Sequence, residues 1–285
     1  MKKSTKTSII TGVIIVVIGV VVLLCALGAS GWNFKQVNEW QQNTYNATES
    51  VERLGIKVNW GKVVVNRGDV EKVSVKYEYN DRYMPTFEEK NGKLSIETSQ
   101  KRWYEVNYWF ENAPRIEITI PHGVYISEVN LTLNAGTVEF GDGEGCATMS
   151  VKINAGTVSM GKVSAKNFDV KLNAGALQAQ MLDCEKVNCK LNAGSFDVKE
   201  IRCKQFDCEI NAGAVNVSKL DTILTKVNVS AGSANLGLAG AQSDYNVSVS
   251  KSAGSCNVRS HTNAAATRIL SVDISAGSVD VSFGK

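Results

Sequence analysis

The sequence predicts an all-β protein, a parallel β-solenoid with coils of about 19 residues, preceded by one N-terminal transmembrane helix. Three observations carry this reading. A tripeptide recurs at near-constant spacing through the second half of the chain, apolar and polar residues alternate on both sides of it, and a long uncharged apolar run stands near the N-terminus.

The apolar run comes first in chain order. Residues 9–29 read IITGVIIVVIGVVVLLCALGA, and a bilayer core needs about 20 apolar helical residues. Lys2, Lys3 and Lys6 precede the run, and the next charge, Lys35, comes well after it. The positive-inside rule keeps the lysine side in the cytoplasm. Residues 1–8 are thus expected to be a cytoplasmic tail and residues 9–29 an uncleaved signal-anchor helix. The C-terminal domain then lies outside the plasma membrane of a single-pass protein. A cleaved signal peptide is the rival reading, since Gly28, Ala29 and Ser30 would serve as a weak cleavage site. Residues 30–50 are polar with some aromatics and form a connector, either a short capping helix or a linker. Without the three tail lysines, 31 − 3 = 28 basic residues face 28 acidic ones. Such a neutral exterior excludes a nucleic-acid binder, which needs a basic excess.

The repeat defines residues 51–285 as the solenoid, regular over 129–285 and irregular and aromatic-rich over 51–128. Asn-Ala-Gly starts at Asn134, Asn154, Asn173, Asn192 and Asn211, and Ser-Ala-Gly at Ser230, Ser252 and Ser275, with spacings of 20, 19, 19, 19, 19, 22 and 23. One and three residues before the corner stand apolar side chains such as Leu172 and Val170, with Lys171 between them; beyond it, Leu177 and Ala179 flank Gln178. A third, shorter apolar pair, such as Val163 with Ala165, closes the middle coils. Alternation of this kind is a strand with one buried face. A single coil cannot bury that face, whereas stacked coils can, each residue about 4.8 Å above its equivalent. Gly supplies the corner's backbone freedom, Ala a small side chain inside the bend, and Asn a ladder of stacked amides. The crossover rule favours a right-handed coil.

Ahead of Asn134 the period weakens. Ile56 to Val65 reads as an earlier coil with Trp60 in place of Ala; Val73 to Tyr77 and Gly92 to Ile96 alternate, and Ile116 to Ile120 alternates into Pro121. This order of a strand–Gly–strand unit, a G-x-L-x-I strand, an I-x-I-x-I-P strand and Gly-centred coils resembles the bacterial putative-adhesin family. The resemblance covers roughly residues 50–285. It implies a membrane-anchored β-solenoid domain of the cell envelope, and it carries over no functional residue.

No catalytic, cofactor or metal site emerges. His122 and His261 lie apart, without convergent partners. Gly141 to Gly145 holds two carboxylates, too few for a calcium loop, and reads as a turn. A glycan-active β-helix enzyme, lyase or hydrolase, is the alternative reading. It needs carboxylates gathered on one face, and Glu139, Asp197 and Asp280 are spread along the stack while Asp169 and Asp207 stand two coils apart. Cys189 with Cys208, and Cys184 with Cys203, share inward columns. Parallel side chains aim their sulfurs badly for bridging, which favours buried thiols over disulfides.

Two features suit binding. Trp103, Tyr104, Tyr108, Trp109 and Phe110 either pack the irregular front of the solenoid or form a candidate patch for an envelope glycan or protein ligand. Lys152, Lys171 and Lys190 stack as a stripe, broken by Glu209, that is either a solvated face or a site for an anionic polymer. The last coil, with Val279, Val281 and Phe283, ends the chain with nothing after it to cover it. It is expected to be an open end that a second copy or another protein covers. The sequence therefore points to a non-catalytic envelope protein that presents a rigid solenoid for adhesion, self-association or envelope-stress sensing.

Overall fold

The computed structural model describes residues 40–81, 83–98, 113–143 and 145–284. The expected span at 9–29 and the aromatic patch Trp103, Tyr104, Tyr108, Trp109 and Phe110 lie outside the described residues. Among the described residues no helix is long and apolar enough to cross a membrane.

Seventeen strands form one curled sheet. The front holds β1 (Gln41–Asn46), β2 (Arg53–Val58), β3 (Lys62–Gly68), β4 (Ser74–Tyr79), β5 (Thr86–Lys90), β6 (Lys93–Glu97), β7 (Arg115–Pro121), β8 (Glu128–Leu133) and β9 (Thr137–Phe140). The repeats form β10 (Cys146–Ile153), β11 (Thr157–Leu172), β12 (Ala176–Leu191), β13 (Ser195–Ile210) and β14 (Ala214–Leu238). The chain closes with β15 (Tyr245–Lys251), β16 (Ser255–Cys256) and β17 (Arg268–Phe283). Each 16-residue strand of β11 to β13 runs from one corner round to the next, so its inner face is buried over three sides in turn.

Parallel pairing stacks these strands into ten levels. Level one is β6 with β7, level two β2 with β3, and level three β8 with β9. Levels four to eight carry the corners at Asn154, Asn173, Asn192, Asn211 and Ser230 in sequence order. The next level is not the next stretch of chain. β17 pairs with β14 on one side and with β15 and β16 on the other, so the C-terminal coil is level nine and the coil of Ser252 is level ten.

The expected open end at Val279, Val281 and Phe283 is therefore overturned. Both edges of that coil are paired, and Val279 and Val281 are buried. The true last level closes on its own chain. Val247 exchanges backbone hydrogen bonds with His261 at 2.9 Å, and the Val249 amide donates to Ser260 Oγ at 2.8 Å. Self-covered edge amides give a second copy little backbone to pair with, so self-association through the C-terminal coil loses its physical ground. At the other end β5 lies antiparallel on β6, β4 antiparallel on β7, and β1 antiparallel on β4. Residues 41–46 of the expected connector are thus a strand, held where Tyr45 stacks on Phe87 with ring centroids 4.5 Å apart.

The corners show why Gly recurs. At Gly194 φ is +114°, and a Cβ there would sit 2.1 Å from the Gly175 carbonyl oxygen of the coil beneath. The alanines, by contrast, face outward: Ala155, Ala174, Ala193 and Ala212 are exposed. The expectation that Ala fills the bend is corrected, because the half-buried Asn occupies the inner side. Its amides form an unbroken chain of hydrogen bonds, Asn211 to Asn192, Asn173, Asn154, Asn134 and Asn59, at 2.6–2.9 Å. Asn59 ends the ladder by donating to the Thr98 carbonyl at 2.7 Å.

Candidate interaction face

The strand side just before each corner carries the most legible surface chemistry. Its inward residues, such as Val151, Val170, Cys189 and Cys208, are buried, so the residues between them must point outward. In-register pairing then lines up three outward columns. Two residues before the corner run Thr132, Lys152, Lys171, Lys190, Glu209, Asn228, Asp273 and Ser250. Four before it run Asn130, Ser150, Asp169, Asn188, Asp207, Lys226, Ser271 and Ser248. Six before it, Lys186 and Gln205 lead to the apolar Leu224 and Ile269.

The expected lysine stripe is real as geometry: Lys152, Lys171 and Lys190 occupy consecutive levels. Its continuation reverses sign. Lys190 Nζ donates to Glu209 at 2.8 Å, and Asp273 stands further along. In the neighbouring column Asn188 Nδ2 donates to Asp169 at 2.5 Å, while Asp207 accepts from Gln205 at 2.6 Å and lies 3.6 Å from Lys186. Among the described residues, no salt bridge engages Lys152, Lys171, Lys226 or Asp273. The columns border an open trough of about 750 Å³. In the column nearest the corner the charges are thus sorted, basic on levels four to six and acidic on levels seven and nine.

Four of the carboxylates weighed for glycan chemistry are engaged in the stack, and Asp280 is exposed. Glu139 pairs with Lys62 at 2.6 Å, Asp197 accepts from Asn216 at 2.6 Å, and Asp169 and Asp207 are bound as described above. Asp142, in the turn considered for calcium, accepts from the backbone of Lys162 at 2.7 Å. Among the described residues no group of three or more His, Cys, Asp and Glu side chains stands together as a metal site.

Among the described residues six thiols are free: Cys146, Cys184, Cys189, Cys203, Cys208 and Cys256. Burial pushes the Cys184 thiol up to about 12 and the Cys203 thiol up to about 11. Burial raises Cys189 too, with the Cys208 sulfur beside it. Such thiols stay protonated and weakly nucleophilic at neutral pH.

Sequence reasoning found the lysines but missed their acidic continuation at Asp273, because it placed that coil at the end. The signal was present in the spacing. Steps of 22 and 23 residues, against 19 elsewhere, leave chain to skip a level and return.

A search of the curated proteins finds no match. Among solved structures, the chain is similar to a putative adhesin from Bacteroides fragilis NCTC 9343, with TM-score 0.52 and 12% identity over 86% of this chain and 97% of that one. It is also similar to a putative lipid binding protein from Parabacteroides distasonis ATCC 8503, with TM-score 0.52 and 15% identity over 86% of this chain and 97% of that one. At such identities the likeness is one of fold. Residues 51–282 match the Toastrack DUF4097 family, and with four-fifths of its length in that match the chain belongs to it.

Proposed function

We propose that the chain is a non-catalytic, membrane-anchored protein of the cell envelope whose rigid solenoid presents its long charged face for adhesion. The observation that carries this is the face itself, on which exposed charges stand in fixed register over consecutive levels. Stacked strands hold those side chains at intervals of about 4.8 Å, which suits recognition of an extended partner better than of a small molecule. The name of the Bacteroides fragilis relative, putative adhesin, agrees. The lipid-binding name of the other relative fits less well. The trough on the charged face has lysines, carboxylates and amides along it, and the apolar pocket beside Cys146 measures only about 40 Å³.

The anchor at 9–29 would hold the face outside the cell. Vesicles carrying the full chain are expected to adhere to intact cells that display it, and Lys152→Glu with Lys171→Glu is expected to reduce that adhesion. Wild-type vesicles that bind no better than bare ones would defeat the reading. Protease added to intact spheroplasts should remove a C-terminal tag and spare an N-terminal one.

A further inference from the structure

Six charges on this face, Lys152, Lys190 and Asp169 on one side and Asp273, Glu209 and Lys226 on the other, are arranged antisymmetrically about its midpoint, between Lys190 of level six and Glu209 of level seven. Consider a second copy laid face to face and turned about a twofold axis running along the strands at that midpoint. Each column then meets its own reverse. In the column nearest the corner, Lys190 meets Glu209, Lys171 meets Asn228, Lys152 meets Asp273 and Thr132 meets Ser250. In the next, Asn188 meets Asp207, Asp169 meets Lys226 and Ser150 meets Ser271. In the outermost, Lys186 meets Gln205, and Asn167 and Thr148 meet Leu224 and Ile269. No like charges oppose one another, and three kinds of ion pair each form twice.

The other twofold arrangement, with stacks side by side and parallel, fails the same comparison. It folds the middle column onto itself, setting Asp169 against Asp169, Asp207 against Asp207 and Lys226 against Lys226. It also brings Lys190 against Lys186. Like charges placed directly opposite disfavour a complex strongly. The face therefore selects one orientation.

Its size is adequate. Eight levels at about 4.8 Å and about six residues of strand at about 3.3 Å span roughly 760 Å², close to the ~800 Å² per partner of a standard interface. Of the groups left without an ion pair among the described residues, the second copy would pair Lys152, Asp169, Lys226 and Asp273, while Lys171 would meet Asn228.

From this charge complementarity we infer that a second copy of the chain docks on this face with its stack antiparallel. The inference rests on the contact-face reading and names its partner. Strand β1, where the described chain begins, lies at the front end of the stack. An antiparallel pair puts the two front ends at opposite ends of the dimer, so anchored copies would join two opposing surfaces.

The test uses the full chain in detergent solution and in vesicles. Lys152→Asp places a carboxylate opposite the second copy's Asp273, and Asp273→Lys places an ammonium opposite its Lys152. Each variant alone is expected to self-associate about tenfold or more weakly than wild type by sedimentation. An equimolar mixture of the two is expected to recover wild-type association, because every reversed contact then meets its opposite. Positions 152 and 273 lie five levels apart within one chain, about 24 Å, so the rescue can only be intermolecular. It also shows that both variants fold. Vesicles bearing one variant should cluster only with vesicles bearing the other.

A mixture that stays dissociated while wild type dimerises would overturn the inference, as would variants that self-associate like wild type. A monomeric wild-type chain that retains long-chain polyphosphate would overturn it in favour of an anionic polymer on Lys152 and Lys171. If the wild-type chain is monomeric yet its vesicles still adhere to cells, the homophilic inference falls and the contact-face reading stands. If neither occurs, both fall.

Discussion

In levels four to eight each coil rests on the coil that precedes it in sequence, whereas at both ends it does not. At the front, the earliest coil, β2 with β3, sits between the coil of β6 and β7 and the coil of β8 and β9. At the back, the last coil sits between the two that precede it. Both ends of the solenoid thus tuck a terminal coil one level inside, and a mid-chain coil with its own covering segment takes the exposed position. A coil paired on one edge opens more easily than a coil paired on two. Pairing the earliest and last coils on two edges holds them, at the cost of contacts distant in sequence, which slow the completion of each end.

The comparison can be broken most severely at a corner in the middle. Gly194→Ala would drive a methyl to 2.1 Å from the Gly175 oxygen at φ +114°. Each level is pinned by two neighbours there, so the clash cannot relax outward. A loss of about 4 kcal/mol or more is expected, enough to unfold most domains or come near it. Gly143→Ala, in a turn where a Cβ would meet nothing within 4 Å, should change the melting temperature very little. Comparable damage from the two would mean that the corner stack does not hold the fold together.

The second effect separates inside from outside in one coil. Val170 is 4% exposed and its neighbour Lys171 is exposed. Val170→Asp buries an unpartnered carboxylate and should cost several kcal/mol in denaturant unfolding. Lys171→Asp should cost less than about 0.5 kcal/mol. Equal losses would invert the assignment of the two faces.

The middle of the stack was legible because identical neighbours above and below impose identical columns. Leu172 over Ile153, or Val170 over Val151, reads directly from the period, as does the lysine stripe. The family resemblance, carried by the front strand patterns and the Gly-centred coils, also agrees with the family shown. The ends were not legible for a physical reason. Column patterns say which residues share a level position but not which coil lies next, since Ser275 fits above Ser230 as well as Ser252 does. Only length distinguishes the two, through steps of 22 and 23 residues. The outward Ala was misread because small size suits either side of a bend, and the Asn ladder decides which side is taken. On the acidic side of the charged face, Asp273 was lost with the level order.

The smallest effect probes the front end, where one carboxylate gathers several hydrogen bonds from the link between β1 and β2. Glu89 accepts from the Tyr45 hydroxyl, from the Thr48 amide at 2.8 Å and side chain at 2.8 Å, and from the Glu49 amide at 3.1 Å. Burial alone would raise its pKa, yet these hydrogen bonds hold the carboxyl down to about 2 from an ordinary 4.5. A carboxyl depressed in the folded state stabilises fully above its unfolded value and loses that contribution as pH falls towards its folded one. Between 4.5 and about 2, therefore, the β1 region should loosen. Burial, then the Glu89 hydrogen bond, pushes Tyr45 up to about 12. Its raised value keeps the contact intact below the ordinary tyrosine range and releases it only as pH climbs towards about 12. The middle of the stack has a depressed carboxyl too, Glu200, but it is held by Lys219 and Arg202 on the surface, where salt screens the interaction. Hydrogen exchange, corrected for intrinsic rates, should show the Thr48 and Glu49 amides losing protection across that acid window while the amides of β12 and β13 keep theirs. Glu89→Gln should leave those front amides weakly protected at every pH. If β12 loosens first, the acid-labile part of the molecule lies in the stack and not at its front.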